Sequence, residues 1–405
     1  MSSLFPDVII SNILSRLPVK SVLRFRCVCK SWCRLFRHPK FIKLHLDHET
    51  EKENFSLLWD YQGKICSTDY NYECSLSSLS SLLYNETVNV DCSIDFNDLL
   101  RMGLMLINNS CNGVVCLTAP GIVILWNPST RESTRIISRR DAFIGFGYDS
   151  DIGEFKMVEL SRINPMIPTK RKRNGVGSSH YSDWENCLRV YSFESNSWKV
   201  IPKVSYKITS YEIVFFKGAF HWLARPCDGS KQVLVSFLMK DKRFQEVLLP
   251  QHFYQDNTTL SATRVGVVGG VLALIHTVYN IRTEIWLMKE FGGINSWTQH
   301  CFINLRIIRE HPIARLTVMR SFKNCELLLQ MYPPSQDGTR LFLYDPNQGK
   351  GRAVDIHDMP QKFKKQHSPI NSYIRTLTWV GSNTSEEATQ RKMTLRSWTK
   401  RHLQQ

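Results

Sequence analysis

"FKGAFHWL", residues 216–223, reads as the end of an apolar strand, a two-residue turn carrying Gly218, and the start of a second apolar strand. A turn that short forces its two strands to pair antiparallel. The phrase recurs as "CNGVVCL" (111–117), "DIGEFKMV" (151–158), "VGGVLAL" (268–274) and "FKNCELLL" (322–329). A second phrase follows each one: "VILWNPSTREST" (123–134), "LRVYSFESNSWKVI" (188–201), "VLVSFLMKDKRFQEVLLP" (233–250), "EIWLMKEFGGINSWTQHCF" (284–302) and "LFLYDPNQGKGRAVDI" (341–356). Each unit is thus four short strands of alternating apolar residues, with Gly, Asn, Asp or Pro at the turns.

Four-stranded units repeated along a chain close their sheet edges best when arranged radially, as a β-propeller. Five units are visible. Strand-like stretches at both ends, "FSLLWD" and "GKICSTD" between 54 and 69 and "YIRTLTWV" at 373–380, are left over and can pair as a sixth. The expected fold is therefore α+β, mainly β: a short helical module, then a propeller of six four-stranded blades. Five or seven blades stay open, because 69–104 reads poorly and its "SLSSLSSLL" (75–83) suits a loop or a short helix. Trp198, Trp222, Trp286 and Trp297 fall at strand positions where a large side chain fills the space between blades. The turns within the phrases are short. The longer connections, 161–186, 203–210, 225–231, 249–260, 304–315 and 332–339, all emerge on the opposite face, where loops on a rigid scaffold serve recognition. The longest carries Lys170, Arg171, Lys172 and Arg173 with His180, Tyr181 and Trp184. These are candidate recognition contacts, with a solvated insertion or a nuclear-import patch as the other readings.

The first 46 residues are of another kind. Ile9, Ile10, Ile13, Leu14 and Leu17 share one face of a helix that Pro6 and Asp7 can start and Pro18 must end. Phe25, Val28, Cys29, Trp32, Leu35 and Phe36 follow the spacing of a second helix, with Arg26, Lys30, Arg34 and Arg37 opposite and "HPKF" at 38–41 ending it. No acidic residue falls between Asp7 and Asp47, whereas Arg16, Lys20, Arg24, Arg26, Lys30, Arg34, Arg37, Lys40 and Lys43 do. Such a module predicts an acidic partner. The whole chain of 405 residues carries a net charge of +16, so direct binding of nucleic acid or another polyanion is the alternative reading.

Composition narrows the class further. With 42% hydrophobic and 11% aromatic residues the chain can bury a large core. "MSSLFPDVIISNIL" lacks a basic leader, and "VGVVGGVLALI" (265–275) is too short to span a bilayer, so no membrane association is expected. Twelve cysteines sit mostly singly in apolar stretches, as reduced thiols do, which fits the cytoplasm or nucleus. No GxSxG, HExxH, GxxxxGK[ST] or paired CxxC occurs, so neither catalysis nor a cofactor is expected. Cys27, Cys29, Cys33 and His38 tempt as metal ligands, but residues two apart on a helix point roughly 200° from one another, so no metal site is expected. His221 reads as a core histidine.

The stretch "LFPDVIISNILSRLPVKSVLRFRCVCKSWCRLFRHPKFIKLHL" (4–46) resembles an F-box, with "LP" at 17–18 and "VCKSW" at 28–32; Phe5 stands where leucine is usual. The resemblance implies docking on the acidic Skp-family adaptor of a cullin-RING ubiquitin ligase. It makes Phe5, Pro6, Ile9, Ile10, Ile13, Leu14, Leu17, Pro18, Val19, Leu23, Val28, Cys29 and Trp32 the docking surface or its support. "NPSTRE" (127–132), "GFGYDSDIGEFKMVEL" (145–160), "VYSFESNSWKVI" (190–201), "KGAFHWLA" (217–224) and "IWLMKEFGGINSW" (285–297) resemble plant F-box-associated domains of type 1, including the S-locus F-box and defence-regulating groups. The implied organisation is an F-box at 1–48, a target-binding propeller at 49–380 and a polar tail at 381–405. The implied role is substrate receptor of an SCF-type ligase, non-catalytic, with an unidentified target protein.

Overall fold

The computed structural model describes residues 7–53, 55–61, 64–70, 81–87, 106–163, 185–210, 212–254, 261–290, 296–305, 315–332, 340–357 and 370–379. Four helices come first: α1 (Asp7–Ser15), α2 (Val19–Phe25), α3 (Lys30–Leu35) and α4 (Pro39–Glu51). Pro18 caps α2 with φ −57° and ψ 144°, a conformation that cannot continue α1. The single second helix expected from spacing is two. Cys29 is extended (φ −155°, ψ 163°) at the start of α3, and tight amide bonds from Cys27 to Arg24 and from Val28 to Phe25 wind α2 down. Phe25, Trp32, Leu35 and Phe36 still meet in one core, whereas Val28 and Cys29, at the break between the two helices, face solvent. "HPKF" proves to be a start and not a stop: Pro39 sits in the first turn of α4, and the His38 ring accepts from Lys40 N at 3.3 Å.

From α4 the chain enters β1 (Phe55–Tyr61), β2 (Lys64–Tyr70) and β3 (Ser81–Thr87), which pair in order. The last residues of "SLSSLSSLL" are thus strand. Four blades follow: β4 (Leu106–Cys111) to β7 (Glu132–Ile137), β8 (Ala142–Asp149) to β11 (Ser197–Val204), β12 (Tyr206–Ile208) to β16 (Arg243–Leu248), and β17 (Ser261–Val268) to β20 (Trp297–Asn304). The third has five strands because its inner strand is broken, with β12 and β13 (Val214–Phe216) both pairing β14 (Ala219–Pro226). Consequently 203–210, expected as a long loop, is mostly strand. A fifth blade runs from β21 (Arg315–Ser321) to β24 (Lys350–His357).

The sixth blade is built from both ends of the chain. β25 (Ile370–Tyr373) pairs antiparallel with β1, Ser56 opposite Tyr373, and becomes the inner strand beside β1, β2 and β3. The inner strands β4, β8, β13, β17, β21 and β25 touch one another in turn and close the ring. The closing strand lies at 370–373 and not at the expected 373–380: residues 374–379 alternate like a strand but pack on neighbouring parts instead. Outer strands β24 and β3 also pair, in parallel, so the fifth and sixth blades share one sheet.

Local chemistry explains the repeat. Asn112-Gly113, Lys217-Gly218 and Gly269-Gly270 all have positive φ at both positions, the hairpin turn whose twist matches that of the strands. Between blades lie the tryptophans. Trp222 is fully buried, Trp286 packs on the cluster between the third and fourth blades, and Trp198 and Trp297 reach across to donate to Ile137 O (2.8 Å) and Leu248 O (2.9 Å) on the preceding blade. His221 is buried, with Nδ1 2.7 Å from Ser236 Oγ and Nε2 3.2 Å from Phe216 O, and burial pushes its pKa down to about 4.

Candidate functional site

The helical module is built around Leu14, Val19, Val22, Phe36 and Phe41, with Ile10, Leu17, Leu23, Phe25, Trp32, Leu35 and Ile42 packed against them. An aromatic chain runs through it, with ring centroids 5.8 Å apart for Phe25–Trp32, 6.1 Å for Trp32–Phe36 and 5.1 Å for Phe36–Phe41. On α4, Phe41, His45 and Glu49 are buried at steps of four, and His45 Nε2 lies 3.1 Å from Leu17 O, tying α4 to the end of α1. Burial lowers the pKa of His45, against the opposing pull of Glu49.

This packing divides the residues expected at the adaptor. Leu14 and Val19 are buried, and Ile10, Leu17, Leu23 and Trp32 are half-buried against the same core, so all six pack inside the module. Ile9 (46% exposed), Ile13 (58%) and Val28 (63%) point to solvent, as do Pro18 and Cys29. Val8, 79% exposed, belongs with them; it lies one residue off the apolar stripe that counting finds. Phe5 and Pro6 lie outside the described residues. Of the nine cations, Arg16, Lys20, Arg24, Lys30, Arg34, Arg37, Lys40 and Lys43 are exposed, while Arg26 turns inward. Burial lowers the pKa of Arg26, countered by the nearby Glu132 carboxylate. The Ser31 hydroxyl, 3.0 Å from Cys29 Sγ, and the amides of Trp32 and Ser31 lower the Cys29 pKa. Among the described residues no group of three or more His, Cys, Asp or Glu could hold a metal ion.

The module rests on the face where the short turns emerge. Lys323, in the turn between β21 and β22 (Leu327–Tyr332), donates its amide to Glu53 Oε1 (2.7 Å) and its ammonium to Glu51 O (2.8 Å). Asp47 of α4 adds to the rise in the Tyr148 pKa that burial and Cys111 produce. The connections that were expected to be long leave from the opposite ends of the strands. The proposed target residues Lys170, Arg171, Lys172, Arg173, His180, Tyr181 and Trp184 lie outside the described residues.

Their stem is fixed by chemistry the sequence does not signal. Glu159, fully buried on β9 (Glu154–Ile163), accepts from Ser138 Oγ (2.8 Å), Arg139 N (3.1 Å) and Arg189 Nε (2.7 Å). Arg189 in turn lies 4.8 Å over the Trp198 ring. On the module's side a cleft of about 650 Å³ opens between the second and third blades, lined by Phe155, Tyr191, Phe193, Met239, Lys242 and Trp379. The sequence reading missed this cleft as well, because its walls come from separate repeats.

Comparison with known proteins places the chain. The F-box domain model matches residues 2–44, and the F-box associated β-propeller domain matches 65–378, in a type 3 model where the motifs resemble type 1. The chain belongs to the F-box proteins that carry an F-box-associated β-propeller. Relatives in Arabidopsis thaliana include F-box protein CPR1, 24% identical over 388 residues covering 89% of this chain and 86% of that protein. An F-box/kelch-repeat protein is 28% identical over 306 residues, 73% of this chain and 78% of that one. Putative F-box only protein 9 is 27% identical over 319 residues, 76% and 78% of the two chains.

Proposed function

We propose that this chain is the substrate receptor of an SCF-type ubiquitin ligase: its helices dock a Skp-type adaptor, which links it to cullin and RING subunits, and its propeller holds the target protein. The observation that carries this reading is the solvent-exposed set Val8, Ile9, Ile13 and Val28 amid exposed cations. Isolated apolar side chains are ordinary on a surface, but four on one small module beside a one-signed charge field suit a partner with an apolar groove and an acidic rim. The module also sits on the short-turn face, at the opposite ends of the strands from those where the longer connections leave. The chain itself contributes no chemistry to ubiquitin transfer; it fixes distance and orientation. It acts in the cytoplasm, the nucleus or both.

The test is capture. Full-length protein carrying both Ile9→Asp and Ile13→Asp should lose the adaptor, keep its thermal midpoint, and retain target proteins that the wild type sends to degradation. Target identity then follows from mass spectrometry. Undiminished copurification of a purified Skp-type adaptor by the double variant would overturn the assignment.

A further inference from the structure

Residues 374–379, which follow the ring-closing strand, run as a strap from the propeller into the helical module. Leu377, 2% exposed, is buried in the same cluster as Leu14, Val19, Val22, Phe36 and Phe41. Its neighbours are held by the first blade. Thr376, fully buried, donates from Oγ1 to Asn112 O at 2.9 Å, and Asn127 Nδ2 donates to both Thr376 O (3.1 Å) and Thr378 O (2.7 Å). The fit at the turn is close: a Cβ on Gly113 would come within 2.2 Å of Thr376 Oγ1 and 2.6 Å of Ile374 O. The strap is therefore clamped on one side by β6 (Ile122–Asn127) and the β4–β5 turn, and on the other side supplies a core side chain to helices at the far end of the chain.

We infer that Leu377 is a positioning residue of the adaptor-docking face, and that the strap makes adaptor docking conditional on a closed propeller. This rests on the docking reading above and deepens it. Four short helices are at the lower limit of what can bury a core unaided, so removing one fully buried leucine matters more here than in the propeller. β25 reaches its place only by pairing with β1, and the strap follows β25 directly. In an open ring β25 is not held on β1, the strap that follows it is not delivered to its anchors at Asn112 and Asn127, and the helices then lack part of their core. The module is synthesised first and completed last, so a chain whose propeller has not closed presents a poor docking face.

Two measurements on the full-length chain test this, with a purified Skp-type adaptor as the probe. In Leu377→Ala, amide exchange in α2 and α4 should quicken by roughly 30-fold or more, the range for a buried leucine truncated in a core, while β5 (Val114–Ala119) and β6 exchange as in the wild type. In Leu377→Asp, a carboxylate in an apolar cluster should hold the module open and cut adaptor affinity at least tenfold, although no docking residue has changed. Asn127→Ala, which removes two of the strap's hydrogen bonds together with the acceptor of the Ser129 and Thr130 amides but touches no helix, should shift both readouts the same way. A wild-type chain that binds adaptor beside a Leu377→Asp chain that binds equally well overturns this inference alone. A wild-type chain that does not bind overturns the docking reading and this inference together. Should the aspartate bring down the propeller too, Leu377→Ala decides, and unchanged exchange in α2 and α4 overturns the coupling.

Discussion

In the helical module Val8, Ile9, Ile13 and Val28 stand in solvent within the space of three short helices, whereas the large apolar residues exposed among the propeller's described residues are scattered: Ile137, Val200, Leu248 and Phe302 on the outer strands β7, β11, β16 and β20, Val267 on the inner strand β17, and Ile152 and Ile281 in turns. The propeller completes itself: six inner strands touch in a ring, tryptophans bridge the blades, and its buried carboxylates have partners such as the arginines around Glu159. The module does not. It borrows Leu377 for its core and, among the described residues, leaves Val8, Ile9, Ile13 and Val28 in solvent. A region that finishes its own packing reads as scaffold, and one that stops short reads as an interface.

That contrast can be attacked from the scaffold side first, where the largest effect is expected. Trp222→Ala removes a fully buried indole from the cluster between the second and third blades and should cost about 3–5 kcal/mol. Thermal or denaturant unfolding measures it, and a loss under 1 kcal/mol would mean that the blade packing described here is wrong. Acid should come next. The His221 pKa in the folded chain lies at about 4, below the ordinary value near 6.5, so the unfolded state binds the proton first. Stability is full above about pH 6.5 and falls as pH drops towards 4, by about 3 kcal/mol from this group, with His45 acting in the same direction. Unfolding midpoints at pH 7 and pH 4.5, for the wild type and His221→Gln, isolate the contribution; equal slopes for the two proteins would remove His221 from the account.

The smaller effects sharpen the interface side. Trp297→Phe keeps an aromatic ring, though a smaller one, but loses the donation to Leu248 O, and should cost about 1 kcal/mol or somewhat more without altering adaptor affinity. Neutralising Lys170, Arg171, Lys172 and Arg173 together should leave the unfolding midpoint and adaptor binding unchanged. It should weaken target capture by an amount that shrinks as salt rises, since exposed charges are screened over about 8–10 Å at physiological ionic strength. Full capture by that variant would move the target contact to another loop.

What could be read in advance follows a physical line. Hairpins such as Asn112-Gly113 announce themselves because the turn's backbone requirement is local and only a few residue types meet it. The six-blade ring was legible for the same reason, repeated. The start of α4 was not, since a proline after a histidine signals an end and a beginning equally well, and its buried stripe of Phe41, His45 and Glu49 is two-thirds polar. The closing strand was misplaced by a few residues because Leu377 and Trp379 alternate like a strand while serving the helices and the cleft. In the helical module, spacing collected the apolar residues but did not separate inward Leu14 and Val19 from outward Ile9, Ile13 and Val28, a division that depends on how four helices fold over one another.

The most direct test of the central claim is the affinity of a purified Skp-type adaptor for the full-length chain as salt is raised from 0.1 M to about 1 M, compared with the Ile13→Asp variant. Exposed ion pairs contribute little and are screened, whereas apolar burial is not, so wild-type binding should weaken severalfold and persist, and a single aspartate at position 13 should cost tenfold or more at every salt concentration with the unfolding midpoint unchanged. Binding that vanishes by about 0.5 M salt and ignores Ile13→Asp would contradict the account, and would mark the cations, not the apolar face, as what the module offers.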